Sequence, residues 1–185
     1  YNLPYFKEID PEAVMQFMRE HPFVFLSGVQ EDHKPVATQV PVFIDEREGK
    51  LFLSGHMMKN TDHHNAFEHN PDVLAVFNGP HCYVSATWYD NPRQASTWNY
   101  ISVHAKGRIH FGGEEELVTA LKRLSLHYEN NNAGSSTVFD NLPAAYREPL
   151  MKAIVAFEIE VTSVENVFKL SQNRDEASQR NIIEQ

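Results

Sequence analysis

Both tryptophans of the chain lie ten positions apart, in two clusters of aromatic, hydroxyl and amide side chains. The first cluster contains Trp88, and the second contains Trp98, Asn99 and Tyr100. The flanking residues predict strands, so both clusters border one short connection, residues 90–95. Large flat rings beside hydroxyl and amide groups suit a planar ligand that is stacked and hydrogen-bonded at once. The same residues would also serve as a hydrophobic plug between strands.

A second candidate site lies where a predicted strand ending near Gly55 leads to a helix beginning near Asn60 or Thr61. Free backbone N–H groups at a helix N-terminus, with Ser54, His56 and Lys59 nearby, would bind an anion such as phosphate. The alternative interpretation is a solvated loop with an ordinary helix cap.

A third polar cluster follows Phe168 near the C-terminus, in the run KLSQNR at residues 169–174. Two amides and two cations in six residues, Lys169 and Gln172 among them, could close over a ligand bearing carbonyl and phosphate oxygens. A solvated connection into the last helix explains the same composition.

Histidines raise the question of a metal site, but their spacing argues against one. Adjacent His63 and His64 point in different directions on a helix, and no Cys or carboxylate stands at a convincing ligand spacing. We therefore predict no metal site, while a histidine ligand for haem stays open. Cys82 is predicted to be an inert hydrophobe within an apolar strand. No nucleophile elbow or glycine-rich phosphate loop occurs, so no catalytic residue is assigned.

Composition limits the classes of function. The 185 residues carry 25 acidic and 16 basic side chains, a net charge of -9, which makes DNA binding doubtful because a phosphate backbone needs a basic face. A single cysteine excludes an internal disulfide. No membrane-spanning run is present, and Tyr1 to Tyr5 lack signal-peptide features, so we expect a cytoplasmic protein.

The remaining sequence predicts the elements that must position these clusters. Short runs rich in Val, Phe and Leu predict strands at 23–29, 36–43, 50–55, 73–77, 81–87, 98–111 and 154–164, with hairpin turns at 31–34 and 45–49. Helices are predicted from Asp10 to before Pro22, between Gly55 and Pro71, and at 114–128, 143–151 and 175–183. Together they predict one mainly β domain over residues 1–185, an antiparallel barrel with peripheral α-helices and a C-terminal helical tail.

Three motifs resemble the PaiB-type family of the FMN-binding split-barrel superfamily, which includes the pyridoxamine 5'-phosphate oxidases. They are GPHCYVSATWY (79–89), STWNYISVHAKG (96–107) and KLSQNR (169–174). Weaker similarity covers YFKEIDPE, PVATQVPVFID and LSGHMMKN, in order along nearly the whole chain.

The resemblance implies a six-stranded antiparallel split β-barrel that forms a homodimer and binds FMN between protomers. Carried over by position, the strand with Thr38, Gln39 and Val40 would offer backbone groups to the isoalloxazine. The residues implied for the phosphate end are Ser54, His56, Lys59 and Asn60. Those implied to complete the pocket, from either protomer, are Trp88, Trp98, Asn99, Tyr100, Lys169 and Gln172. His56 and Tyr100 would lie nearest the flavin edge.

The sequence departs from the family pattern at His63 and His64, where relatives usually carry Trp followed by Lys or Arg. A histidine is largely neutral near pH 7, so loss of a fixed cation predicts weaker FMN binding. The role on a small molecule would be redox chemistry or flavin sensing. The alternatives are a non-catalytic negative transcriptional regulator and a haem-binding split barrel.

Overall fold

The computed structural model describes residues 3–91 and 93–185, and within them seven strands and five α-helices. Three residues lie outside the described part of the chain. They are Tyr1 and Asn2, of the segment assessed for a signal peptide, and Pro92, of the predicted 90–95 connection. The strands are β1 (Phe23–Val29), β2 (Pro35–Pro41), β3 (Phe43–Arg47), β4 (Lys50–Met58), β5 (Asp72–Val84), β6 (Thr97–Phe111) and β7 (Ile154–Lys169). The helices are α1 (Pro11–Glu20), α2 (Asp62–His69), α3 (Glu114–Tyr128), α4 (Ala144–Met151) and α5 (Glu176–Ile183).

The strands form one antiparallel sheet in the order β2-β1-β5-β6-β7-β4-β3. The predicted class is therefore confirmed as a mainly β, split-barrel type with peripheral helices, with seven strands where the resemblance implied six. The β1–β2 hairpin pairs Val29 with Pro35 across the predicted turn. The β3–β4 hairpin turns through Glu48 and Gly49, whose φ angles of 52° and 75° suit a two-residue turn.

Four predicted boundaries are wrong, the first being the end of the last strand, which was predicted at 164 but lies at Lys169. Residues 43–47 were divided between a strand and a turn but form β3, paired with β4 from Phe43–Ser54 to Arg47–Lys50. The two strands predicted at 73–77 and 81–87 are one strand, β5. The strand predicted to end at Gly55 continues to Met58, because β4 pairs with β7 as far as Met58 and Ile154.

Three helices begin beside the residues at which the sequence predicted their starts. The Asp10 carboxylate accepts a hydrogen bond from the Glu12 amide at 3.0 Å, and the Thr61 hydroxyl accepts one from His64 at 3.2 Å. Asp175 accepts the Ser178 amide at 2.8 Å. Such caps satisfy donors that the helix itself leaves free, which is why local sequence locates them well.

The described residues form two compact units, and each of the three longest strands contributes residues to both. The first contains the described residues of Tyr1–His21, Val76–His104 and Val164–Gln185, and the second contains Pro22–Ala75 and Ala105–Ser163. Each has fully buried apolar side chains, such as Met18 and Phe77 in the first and Leu26 and Leu53 in the second. The expectation of a single domain stays a prediction. No helix among the described residues is long and apolar enough to cross a membrane.

Candidate functional site

A groove of the second unit has a volume of about 750 Å³ and is lined by residues of β3, β4, β6, β7 and α3. Ser54 and His56 line it, because side chains alternate along β4 and Leu53, Gly55 and Met57 occupy the buried face. Ser54 lies within the strand, as the sequence predicted, and His56, which was predicted to lie in the connection to the next helix, belongs to the same strand.

Ion pairs occupy the charged groups beside Ser54. Arg123 donates two hydrogen bonds to the Asp45 carboxylate, at 2.6 and 2.8 Å, and Arg47 lies 2.6 Å from Glu158. The hydrogen bond from Arg123 lowers the pKa of Asp45, and one with Ser54 lowers it further. Both arginines are thus paired with carboxylates, so this groove has little positive charge available to bind a phosphate.

His56 is a neutral polar group in the same groove. Its side chain is half-buried, and burial lowers its pKa below the ordinary value for histidine. A neutral imidazole can donate one hydrogen bond and accept another. Phe43 and Phe157 add aromatic side chains to the lining of this groove. A neutral imidazole beside aromatic rings suits the polar edge of an uncharged ring better than an anion.

Lys59 lies apart from Ser54 and His56, in a smaller groove of about 370 Å³. The groove also has Lys152, Glu114 and Glu148 in its lining, and the Lys59 side chain is exposed. The Lys59 amide donates to the Ala153 carbonyl at 2.8 Å, which ties this end of β4 to the start of β7. The four residues implied for the phosphate end are thus not gathered in one groove.

The start of α2 has less free hydrogen-bonding capacity than the sequence suggested. Thr61 caps the His64 amide, and the Asp62 carboxylate accepts the His63 amide at 2.8 Å and lies 3.1 Å from His63 Nδ1. His64 is buried, 4.8 Å from the Phe111 ring between centroids, and its Nδ1 has no hydrogen-bond partner within the described chain. The two histidines therefore serve local packing and capping, and no described group of three or more His, Cys, Asp or Glu could hold a metal ion.

β2 carries Thr38, Gln39 and Val40 at the end of the sheet order, so one side of its backbone has no neighbouring strand in the described chain. Val40 is buried and Thr38 half-buried, whereas Gln39 is exposed. Gln39 pairs with Phe25, which is 42% exposed, and the next pair on that face joins Pro41 to Phe23, which is 60% exposed. We call Phe23, Phe25, Gln39 and Pro41 the hairpin face.

In the first unit the two tryptophans have different surroundings. Trp98 is 53% exposed, and its ring centroid lies 6.0 Å from those of both Tyr83 and His81. We call these three residues the aromatic face. Trp88 is half-buried against a cluster that contains Val84, Ala86, Tyr89 and Ile182. Of the two predicted clusters, one therefore contains an exposed indole and the other a packed indole.

Cys82 lies between His81 and Tyr83 in β5 and is exposed. The prediction that Cys82 lies in apolar surroundings is wrong, because this end of β5 has several consecutive exposed side chains in place of strict alternation.

The remaining predicted residues of this unit bond to the protein itself. The buried Asn99 side chain accepts a hydrogen bond from Ser171, and Lys169 donates to the Trp98 carbonyl at 2.8 Å. Gln172 bonds to backbone groups of Phe168 and Leu170, and Tyr100 is half-buried. Sequence reasoning missed Ser171, Tyr83 and Arg123 as members of these sites. The first two stand inside quoted motifs, but Arg123 reads as an ordinary surface residue of a helix.

Comparisons with known proteins agree with this fold. A family model described as "Putative FMN-binding domain" matches residues 1–163. The chain is 33% identical over 181 residues to the protease synthase and sporulation protein PAI 2 of Bacillus subtilis (strain 168), covering 98% of this chain and 86% of that protein.

Two solved structures share the fold at low sequence identity. The conserved hypothetical protein Rv2991 from Mycobacterium tuberculosis gives a TM-score of 0.64 at 11% identity, over 95% of this chain and 94% of that one. The FAD and haem binding protein from Mycobacterium smegmatis gives 0.64 at 15% identity, over 97% and 80%. The family model and the Bacillus relative both span most of the chain, and the chain therefore belongs to this FMN-binding domain family, of PaiB type.

Proposed function

We propose that this protein binds FMN as a homodimer and uses the flavin for redox chemistry on a small molecule. The observation that carries the proposal is the aromatic face, which exposes a tryptophan beside a tyrosine and a histidine in a chain of this family. Flavin supplies the electron transfer when bound, while the protein supplies binding and orientation.

The ring end of FMN fits the described residues. An exposed indole gives a flat apolar surface of the kind on which an isoalloxazine stacks, and the hydroxyl and imidazole beside it can hydrogen-bond ring heteroatoms. The backbone of β2, as an edge strand, supports the expectation that it offers N–H and C=O groups to the ring.

The phosphate end fits less completely. Lys59 is exposed and permanently charged, and it precedes the N-terminus of α2, where the helix dipole favours an anion. Asp62 in the first turn opposes that effect, and His63 and His64 add no fixed charge. We therefore expect modest FMN affinity that depends strongly on Lys59.

The hairpin face supports the homodimer. Phe23 and Phe25 expose apolar side chains on one face of an edge hairpin, and patches of this kind on soluble proteins mark interfaces. A second copy with two-fold symmetry is the commonest occupant of such a surface.

The test is an absorbance spectrum of the purified protein before and after FMN titration, with light scattering on the same sample. Flavin bands that shift on binding, together with a dimer mass, support the proposal. Anaerobic reduction by a nicotinamide donor followed by reoxidation separates a redox role from flavin sensing. A Soret band in the spectrum would show that the protein binds haem in place of FMN. If the protein binds neither group, the proposal is overturned.

A further inference from the structure

The segment 169–178, which we call the C-terminal latch, contacts the segment that bears both tryptophans at four points of the first unit. The first point is Lys169, whose ammonium donates to the Trp98 carbonyl at 2.8 Å and to the Thr97 hydroxyl. Burial, with Arg174 nearby, lowers the pKa of Lys169. The ammonium is therefore directed at protein acceptors on the strand that carries the exposed indole.

The second point is Ser171, whose hydroxyl donates to Asn99 Oδ1 at 2.9 Å. Both side chains are buried, and Ser171 has a φ of 62°, in the left-handed region that a non-glycine residue rarely adopts. Glycine would suit this φ better, but glycine lacks the hydroxyl that makes the buried hydrogen bond to Asn99.

The third and fourth points are contacts between the latch and residues that precede β6. The Arg174 guanidinium lies 4.3 Å from the centroid of the Tyr89 ring, and it also donates to Gln94. The fully buried Ser178 accepts the Asp90 amide at 2.9 Å through its hydroxyl.

We propose that Lys169 and Ser171 are positioning residues, which hold the Trp98 end of β6 so that the indole stays presented for stacking, and that neither touches the flavin phosphate. The flavin part of this statement rests on the proposed function. The reason is chemical: a lysine that served a phosphate would present its ammonium to solvent, whereas Lys169 bonds to a carbonyl and a hydroxyl of the protein.

The first test needs no flavin. In a Trp88→Phe background, Trp98 is the sole fluorescent indole, since the chain has two tryptophans. Lys169→Met and Ser171→Gly should both shift the Trp98 emission and raise its acrylamide quenching. Glycine accepts the left-handed φ without strain, so Ser171→Gly removes the CH2OH side chain without adding backbone strain. Lys122→Met, which removes an exposed lysine of α3, is the matched control and should change neither signal.

The second test compares FMN with riboflavin in the chain that retains Trp88. Each latch variant should weaken FMN and riboflavin by the same factor, up to about tenfold, as expected for the loss of one hydrogen bond. Loss of FMN affinity with riboflavin unchanged would overturn the proposal in favour of a direct phosphate ligand. Unchanged Trp98 emission in both folded variants would also overturn it, whether or not the protein binds flavin. If Lys169→Met fails to fold by circular dichroism, Ser171→Gly decides.

Discussion

Arg123 of α3 donates two parallel hydrogen bonds to the Asp45 carboxylate of β3, at 2.6 and 2.8 Å. The two residues are 78 positions apart in the sequence. The same guanidinium lies 4.1 Å from the centroid of the Phe43 ring. This ion pair joins the helix to the strand that the sequence had failed to predict, on the wall of the 750 Å³ groove of the second unit.

The first prediction concerns this pair. Arg123→Met should lower the free energy of unfolding by about 1 kcal/mol, since both groups are partly exposed. Because Arg123 lowers the pKa of Asp45 in the folded protein, the stabilisation is present above the carboxyl's unfolded pKa and is lost as the pH falls through the folded value. A double-mutant cycle of Arg123→Met and Asp45→Asn measures the coupling energy of the pair. The free energies come from urea unfolding at neutral and at acid pH.

The control for that cycle is Lys34 and Asp32, a pair with side chains 74% and 52% exposed, which should show almost no coupling. Equal coupling energies for the two pairs would contradict the role given to the ion pair of Arg123 and Asp45.

The second prediction concerns Gly79, inside β5. A Cβ there would lie 2.7 Å from the Phe17 ring, which is itself held by His21 and Phe168 at centroid distances of 4.3 and 5.5 Å. Gly79→Ala should therefore destabilise the protein by about 1–3 kcal/mol through overpacking. Thermal unfolding measures the change. Gly134→Ala, at an exposed loop position, is the control, and equal losses in the two variants would argue against close packing at Gly79.

The third prediction concerns the phosphate end of the flavin. Lys59→Ala should weaken FMN binding roughly ten- to a hundredfold, the effect of losing one charge-assisted hydrogen bond. Riboflavin, which lacks the phosphate, should be nearly unaffected. Fluorescence titration of both flavins measures this, with Lys34→Ala as the control lysine. Equal losses for the two flavins would show that Lys59 does not serve the phosphate.

The fourth prediction concerns the hairpin face. Phe25→Asp places a charge in the proposed interface, so the mass measured by light scattering at micromolar concentration should fall from dimer to monomer. Ile9→Asp is the control, because Ile9 is 90% exposed and lies outside that face. A monomer in the unmodified protein, or a dimer that survives Phe25→Asp, would count against the proposed interface.

The fifth prediction concerns nucleic acid. With a net charge of -9, the protein should bind duplex DNA only weakly at physiological salt. A gel-shift assay checks this. Sequence-specific binding that resists added salt would support the regulatory alternative instead.

Local chemistry made several elements predictable from the sequence. The caps Asp10, Thr61 and Asp175 act within three residues of themselves, so their types and spacing were sufficient to locate three helices. β1 was predicted at its observed bounds, and β6 was predicted within one residue of its observed start and at its observed end. The three quoted motifs likewise identified the family without coordinates.

Tertiary structure decided where the candidate residues lie. Gly79 and Pro80 separated two predicted strands, but β5 runs through both, and a Cβ at Gly79 would lie 2.7 Å from the Phe17 ring. The predicted strand ended at Gly55, whereas His56 also belongs to β4, because β4 pairs with β7 about a hundred positions away. Which tryptophan is exposed and which is packed depends on contacts between distant segments. Sequence spacing carries the local hydrogen-bonding preferences, whereas exposure and partner choice are set by the packing of the whole chain.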